Sequence, residues 1–175
     1  MKIREALETI HRLEADGIIN RYAIGGAVGA TFYLEPVATL DIDIFIALRP
    51  ESDRRMIDLK PIYEYLAARG GIPEGEYMRL AGWPVQFLPA AGPLVEEALE
   101  KALETEVEGT LTRVFSAEHL AAIALQTGRA KDKARLLQFL ESGVLEMDRF
   151  RSIVLRHGLE EAWQRFKLQF LGDQS

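Results

Sequence analysis

The nine residues Leu40-Asp41-Ile42-Asp43-Ile44-Phe45-Ile46-Ala47-Leu48 constrain this chain more than any other stretch. Successive side chains of a strand point to opposite faces, so Ile42, Ile44 and Ile46 share one face and Asp41 and Asp43 the other. A run this apolar belongs inside a sheet, yet two carboxylates on one face repel unless something positive comes between them. Two readings satisfy the pattern. One is a sheet with a solvated face, where alternating charge is common. The other is a hard divalent cation held by oxygen ligands. Aspartate is depleted in strands, so two of them in an isoleucine-rich strand break a local rule in the way functional sites do.

The segment just upstream adds a second feature. Arg21 to Ile24 reads as a short strand that runs into Gly25-Gly26, with Ala27 to Leu34 helical behind it and Pro36 as its stop. Glycines at a strand-to-helix junction serve close packing of backbone on backbone. They equally let N–H groups approach a ligand phosphate. Arg49-Pro50 closes the aspartate strand.

Elsewhere the periodicity alternates between helix and strand. Ile3 to Leu13 is an amphipathic helix stopped at Asp16-Gly17, and Ser52 to Arg69 is a helix whose firmest part is Ile62 to Arg69. Glu76 to Leu80 and Pro84 to Leu88 form a hairpin about Ala81-Gly82, with the polar Gln86 set between Val85 and Phe87. Leu94 to Leu103 is a helix with Leu94, Val95, Ala98, Leu99, Ala102 and Leu103 as its buried stripe. The acids Glu96, Glu97, Glu100, Glu104, Glu106 and Glu108 read as a solvated face. Thr105 to Phe115 is β-like with a turn at Glu108-Gly109, and Ser116 caps a helix with His119 at its N3 position. Asp148 to Arg156 and Leu159 to Leu171 are the last two helices, with Phe150, Ile153, Val154, Trp163, Phe166 and Phe170 as their core. His11 and His157 read as helix-surface or capping residues, because neither has a partner at ligand spacing.

Gly128 to Arg135 holds four bases, Arg129, Lys131, Lys133 and Arg135, against the single acid Asp132. A solvated helix face accounts for this. So does contact with a triphosphate or with the phosphate of an acceptor, for which Lys and Arg are the natural donors.

Composition narrows the chemistry. The 175 residues carry a net charge of −6, which argues against a large non-specific nucleic-acid surface while leaving room for a local basic patch. With no cysteine, disulfides and thiolate metal sites are excluded, and three histidines leave carboxylates as the main reactive groups. No apolar run approaches the roughly 18 residues of a membrane span, and the N-terminus lacks a signal-peptide core, so the expected location is cytoplasmic with no membrane partner. The expected fold is α+β: a small mixed sheet from strands near Tyr22, Asp41, Met78, Val85 and Thr112, flanking helices, and a helical C-terminal region. Residues 1–115 would form the core and 116–175 the helical region packed on it.

Gly25-Gly26 after a strand, followed by Thr39-Leu40-Asp41-Ile42-Asp43 in the next, resembles the DNA polymerase β-like nucleotidyltransferase superfamily. Within it the chain looks like the minimal bacterial nucleotidyltransferases related to AbiEii-type toxins, and the likeness extends more loosely through Val85-Gln86-Phe87 and His119 to Leu140. The resemblance implies a nucleotidyltransferase-type sheet and a two-metal phosphoryl-transfer site. Asp41 and Asp43 would be catalytic and bind Mg²⁺ (or Mn²⁺), while Gly25, Gly26, Thr39, Lys131 and Lys133 would bind a nucleoside triphosphate. A nucleoside monophosphate would pass to an acceptor, a protein, tRNA or small molecule, releasing pyrophosphate. The chain departs from that pattern in three places. Gln86 stands where a third carboxylate is expected and cannot take a proton. Ala124 and Arg135 stand where related toxins carry a Lys and an acid.

Three hypotheses follow: an active nucleotidyltransferase with an altered site; a nucleotidyltransferase-fold binding module or toxin–antitoxin partner without turnover, motivated by Gln86; and an α+β domain with no site.

Overall fold

The computed structural model describes residues 3–35, 41–48 and 58–172. Pro36, Thr39, Leu40, Arg49, Pro50 and Ser52, used in the sequence reading, lie outside the described residues.

The aspartate strand, β2 (Ile42–Ala47), is the central strand of a seven-stranded mixed sheet. It pairs antiparallel with β1 (Arg21–Gly25) and parallel with β5 (Trp83–Pro89). Outside β5 lie β4 (Tyr77–Leu80) and then β3 (Ile72–Glu74). Outside β1 lie β7 (Thr110–Val114), parallel to it, and then β6 (Leu103–Val107). The hairpins β4–β5 and β6–β7 turn on Ala81-Gly82 and Glu108-Gly109, all four residues at positive φ (49°, 86°, 50° and 83°). Two-residue turns of this kind match the twist of the strands they join, and both were legible as turns in the sequence.

Each face of the sheet has its own core. On one face Ile42, Ile44 and Ile46 are buried with Tyr22, Ile24, Met78, Val85 and Phe87 under α1 (Ile3–Ala15) and α3 (Lys60–Ala67). On the other face Ala23, Phe45 and Phe115 pack beneath α4 (Pro93–Glu100), α5 (Ala117–Thr127), α6 (Ala130–Ser142), α7 (Met147–Arg156) and α8 (Glu160–Phe170). Burying each large aliphatic or aromatic side chain contributes roughly 1.5–3 kcal/mol relative to leaving it exposed. The alanines of α5 permit close helix approach, and Ala117, Ala121, Ala122 and Ala124 are all buried. The last helices therefore share one core with residues of the sheet. Phe45 and Phe115 stand 4.9 Å apart, and Trp163 meets Phe150 edge-on at 5.1 Å.

Several expectations need correction. The short helix after the glycines, α2 (Gly26–Ala30), ends four residues before Leu34 and continues as turns. The helix expected over Leu94–Leu103 stops at Glu100, and Leu103 opens β6 with 47% of its surface exposed. The Ala/Leu/Glu run has good helix propensity throughout, but pairing of Leu103 with Val114 across the β6–β7 ladder overrides it. Strand β3 was not read from the sequence at all. It is a three-residue exposed edge containing Pro73, which suits an edge but erases a strand signal. Phe170 is 39% exposed rather than core. Glu97, assigned to a solvated acidic face, is largely buried because α4 lies against α5, and it accepts hydrogen bonds from His119 and Arg156.

One shared core should unfold in one step. Phe150→Ala removes a fully buried ring and is expected to lower stability by about 3–5 kcal/mol. Denaturant unfolding followed by tryptophan fluorescence and by far-ultraviolet circular dichroism should give coincident transitions that shift together; separated transitions would show that 116–172 melts independently.

Candidate active site

The strand registers set Gly25 opposite Asp43, and Asp43 beside Gln86. The β4–β5 register, with Met78 opposite Val85, carries this row one strand further to Tyr77. Gly25, Asp43, Gln86 and Tyr77 therefore form one line across four strands. Asp41 precedes β2, and its carboxyl lies near enough to that of Asp43 to raise it, so the pair stands on one side as the alternation predicts.

The two glycines are required by what lies against them. A Cβ at Gly25 would come within 2.6 Å of the Phe45 ring and 3.1 Å of Phe115. Gly26 has φ +59°, and a Cβ there would overlap Oδ2 of Asp43. Both glycine readings are thus realised: the backbone packs tightly on aromatic rings, and it approaches the Asp43 carboxylate directly. The first N–H groups of a helix have no partner within it, and α2 begins here at Gly26.

Asp43 is not on an open face. It is half-buried in the central strand, and its Oδ1 is fully buried with no hydrogen-bond partner. Burial, then repulsion from and hydrogen bonding with Asp41, push its carboxyl up to about 6, while Arg135 and Lys131 pull it back. At neutral pH Asp43 is still mostly ionised, in a partly dry setting beside the Asp41 carboxyl. An orphaned buried oxygen beside a second carboxylate suits a hard cation with oxygen ligands, and the Gln86 side-chain carbonyl is a neutral oxygen in the same row. Among the described residues no group of three or more His, Asp or Glu side chains is placed to hold a metal. The residues accordingly fit one cation held by Asp41 and Asp43 rather than a cage of three carboxylates.

Positive charge comes from α6 and the residue before it. Lys131 and Arg135 act on Asp43 through space, and Arg129 is in turn raised partly by Asp43. Buried Asp132 holds this group in place. Arg129 donates to it from Nε at 2.6 Å, and Arg135 lies 3.9 Å away. Burial acts to raise Asp132, but the hydrogen bonds from Arg129 and Thr127 outweigh it and hold the carboxyl below its ordinary range. Of the two lysines singled out from the sequence, Lys131 faces the carboxylates, whereas Lys133 donates to Gln169 of α8 at 3.4 Å. Arg129 and Arg135 belong to the basic run read as a candidate triphosphate contact, although only Lys131 and Lys133 were named as nucleotide-binding; the spacing of three about Asp132 matches neighbouring positions on a helix.

Tyr77 was also missed. Its hydroxyl is raised first by the charge of Asp41, then by burial, Glu76 and Asp43, which places the phenol in the field of the carboxylate pair. Only the pairing of β4 with β5 brings it there. His119 lies at N3 of α5, where the Ser116 Oγ accepts its backbone N–H at 3.1 Å as expected. His157 is the C-cap of α7, and His11 Nδ1 sits 3.4 Å from the Tyr22 hydroxyl.

No family model and no curated protein sequence matches the chain. Solved structures do. The crystal structure of ANT(2")-Ia in complex with adenylyl-2"-tobramycin superposes with a TM-score of 0.53 at 15% identity, over 94% of this chain and 99% of that one. An antigenic nucleotidyltransferase-like protein from Paracoccidioides brasiliensis superposes with a TM-score of 0.55 at 12% identity, over 95% of this chain and 88% of that one. The mixed sheet with its flanking helices is a nucleotidyltransferase fold.

The raised carboxyl of Asp43 has a definite pH signature. Because the folded state binds this proton more tightly than the unfolded chain, the group costs stability as pH rises from about 4 to about 6, by on the order of 1–3 kcal/mol, and the cost is constant above that. Asp43→Asn should therefore raise the melting temperature at pH 7 and leave it nearly unchanged at pH 4. Thermal melts of both proteins across this range check the sign.

Proposed function

We propose that this protein transfers a nucleoside monophosphate from a nucleoside triphosphate, bound with one Mg²⁺ (or Mn²⁺), to the hydroxyl of an acceptor. The observation that carries the reading is the row Gly25–Asp43–Gln86: a glycine backbone, an aspartate pair with an orphaned oxygen, and a third side-chain oxygen, set side by side by strand register.

Asp41 and Asp43 would hold the cation, which is how two half-buried carboxylates come to be tolerated at neutral pH. When bound, such a cation supplies neutralisation of the charge on the transferring phosphoryl group. The N–H groups that open α2 at Gly26 have no partner within the helix and would donate to the triphosphate beside Asp43. Arg129, Lys131 and Arg135 donate to phosphate oxygens, with two of the three guanidinium and ammonium groups oriented through Asp132. Thr39, in the segment before Asp41, is a further candidate contact to the nucleotide. The acceptor oxygen forms its bond to the α-phosphorus as the bond to pyrophosphate breaks. Gln86 holds that oxygen through its amide but accepts no proton, so the acceptor's proton leaves to water. Of the acceptor classes, a small hydroxyl compound is the first to test. The similar ANT(2")-Ia structure contains adenylyl-2"-tobramycin, and the net charge of −6 opposes a large nucleic-acid partner. The resemblance to AbiEii-type proteins keeps a protein or tRNA acceptor, in the cytoplasm, as the alternative.

Gln86 favours a second reading, in which the fold binds nucleotide or a toxin–antitoxin partner without turnover. Incubation with α-labelled triphosphates, Mg²⁺ and acceptors of each class separates the two. Transfer by the wild type, accelerated about 10²–10⁴-fold in Gln86→Asp and abolished with nucleotide binding in Asp41→Ala, is the expected result. Mg²⁺-dependent binding with no transfer even in Gln86→Asp would establish the second reading, and unchanged transfer in Asp41→Ala would sink the first.

A further inference from the structure

A second site lies away from the carboxylate pair, where the end of α4, the start of β6, the N-terminus of α5 and α7 surround a cavity of about 370 Å³. Its charged wall is formed by Lys101, Arg149 and Arg156, and no acidic residue lines it. This is notable in a chain of net charge −6.

The three cations are held differently. Arg156 is fixed: Nε and Nη2 donate to the two oxygens of Glu97 at 3.1 and 3.0 Å, and Nη1 donates to Ser152 Oγ at 2.6 Å. Glu97 lies behind the wall and is itself anchored by His119 Nε2 at 2.8 Å. That contact makes Nε2 the donor, so Nδ1 accepts from the Ser116 hydroxyl at 2.7 Å and the imidazole stays neutral, as its burial also favours. Lys101 and Arg149, by contrast, make only long ion pairs, Lys101 with Glu97 at 3.9 Å and Arg149 with Glu118 and Glu146 at 3.8 Å, without hydrogen bonds, and their side chains are 59% and 60% exposed. One guanidinium is thus preorganised while two long cationic side chains keep their donors available, an arrangement that lowers the ordering cost of capturing an anion. Leu103 and Ile153 supply an apolar patch in the same cavity. Its volume suits a small organic molecule rather than a bare ion.

We propose that this cavity binds the phosphate group of a small phosphorylated metabolite, such as a sugar phosphate, with Lys101, Arg149 and Arg156 as donors and Leu103 and Ile153 against its carbon skeleton. The site uses none of the residues of the carboxylate row, so it stands whether or not nucleotidyl transfer does.

Isothermal titration with ribose 5-phosphate, inorganic phosphate and citrate tests it, using the full chain and the variants Lys101→Glu, Arg149→Glu and Asp41→Asn. Saturable binding of ribose 5-phosphate is expected, tighter than inorganic phosphate and than citrate. Each charge reversal should weaken it about ten- to a hundredfold, with circular dichroism unchanged because both side chains are exposed. Asp41→Asn should bind as the wild type does, which separates this site from the nucleotide site. Absence of saturable binding up to about 10 mM, or binding that the two charge reversals leave intact, overturns the proposal. Citrate binding more tightly than either phosphate would overturn its assignment to a phosphate ligand.

Discussion

Two carboxylates confined to the edge of a central strand are the constraint around which this molecule is arranged. A lone exposed aspartate needs nothing from its surroundings, but Asp43 has one oxygen buried without a partner and Asp41 beside it. Desolvation and like-charge repulsion both oppose ionisation there. The surrounding structure answers with positive charge from α6, held at a distance that reduces the cost without neutralising the pair. Direct salt bridges from Arg129 go to Asp132 and not to Asp43. A carboxylate pair left partly uncompensated in this way keeps an electrostatic cost in the folded chain.

The glycine turn is part of the same constraint. Gly26 exists without a side chain because Asp43 Oδ2 occupies the space, and Gly25 because Phe45 and Phe115 do. The aromatic pair also joins the sheet to α5, so the helices that carry Arg129, Lys131 and Arg135 are positioned through packing that begins beneath the carboxylates. Core and site are therefore not separable here: Phe45 lies two residues from Asp43 on the same face. The face that carries the carboxylate pair is the continuation of the face that packs.

The legibility of the sequence followed the range of the interactions. Local rules read well. The alternation of Ile42, Ile44 and Ile46 with the aspartates, the turns at Ala81-Gly82 and Glu108-Gly109, and the Ser116 cap all depend on residues a few positions apart, and all three are in the structure. Gln86 stood out as a polar residue in an apolar strand and was put at the third-carboxylate position by the resemblance to nucleotidyltransferases; the β2–β5 register sets it beside Asp43. Long-range pairing read poorly. Leu103 joined β6 instead of continuing α4, β3 escaped notice, and Glu97 was taken for a surface acid although it bonds residues 22 and 59 positions away. Lys133 and Arg135 looked equivalent in a basic run, yet a helix turns them to different neighbours, Gln169 for one and Asp132 for the other.

By itself the amino-acid sequence determined the fold class, the central strand with its two faces, and the aspartate pair as the candidate site, since no other stretch broke its own local rules; each of these is set by periodicity and by side-chain type. Which residues stand beside that pair was decided by tertiary structure alone. Tyr77 enters the row through the β4–β5 register, and Arg129 and Arg135 through their shared hold on Asp132. The Lys101–Arg149–Arg156 cavity exists only where α4, β6 and α7 meet. Charge acts through space and not along the chain, so a residue's electrostatic neighbours are fixed only once the backbone has brought distant segments together.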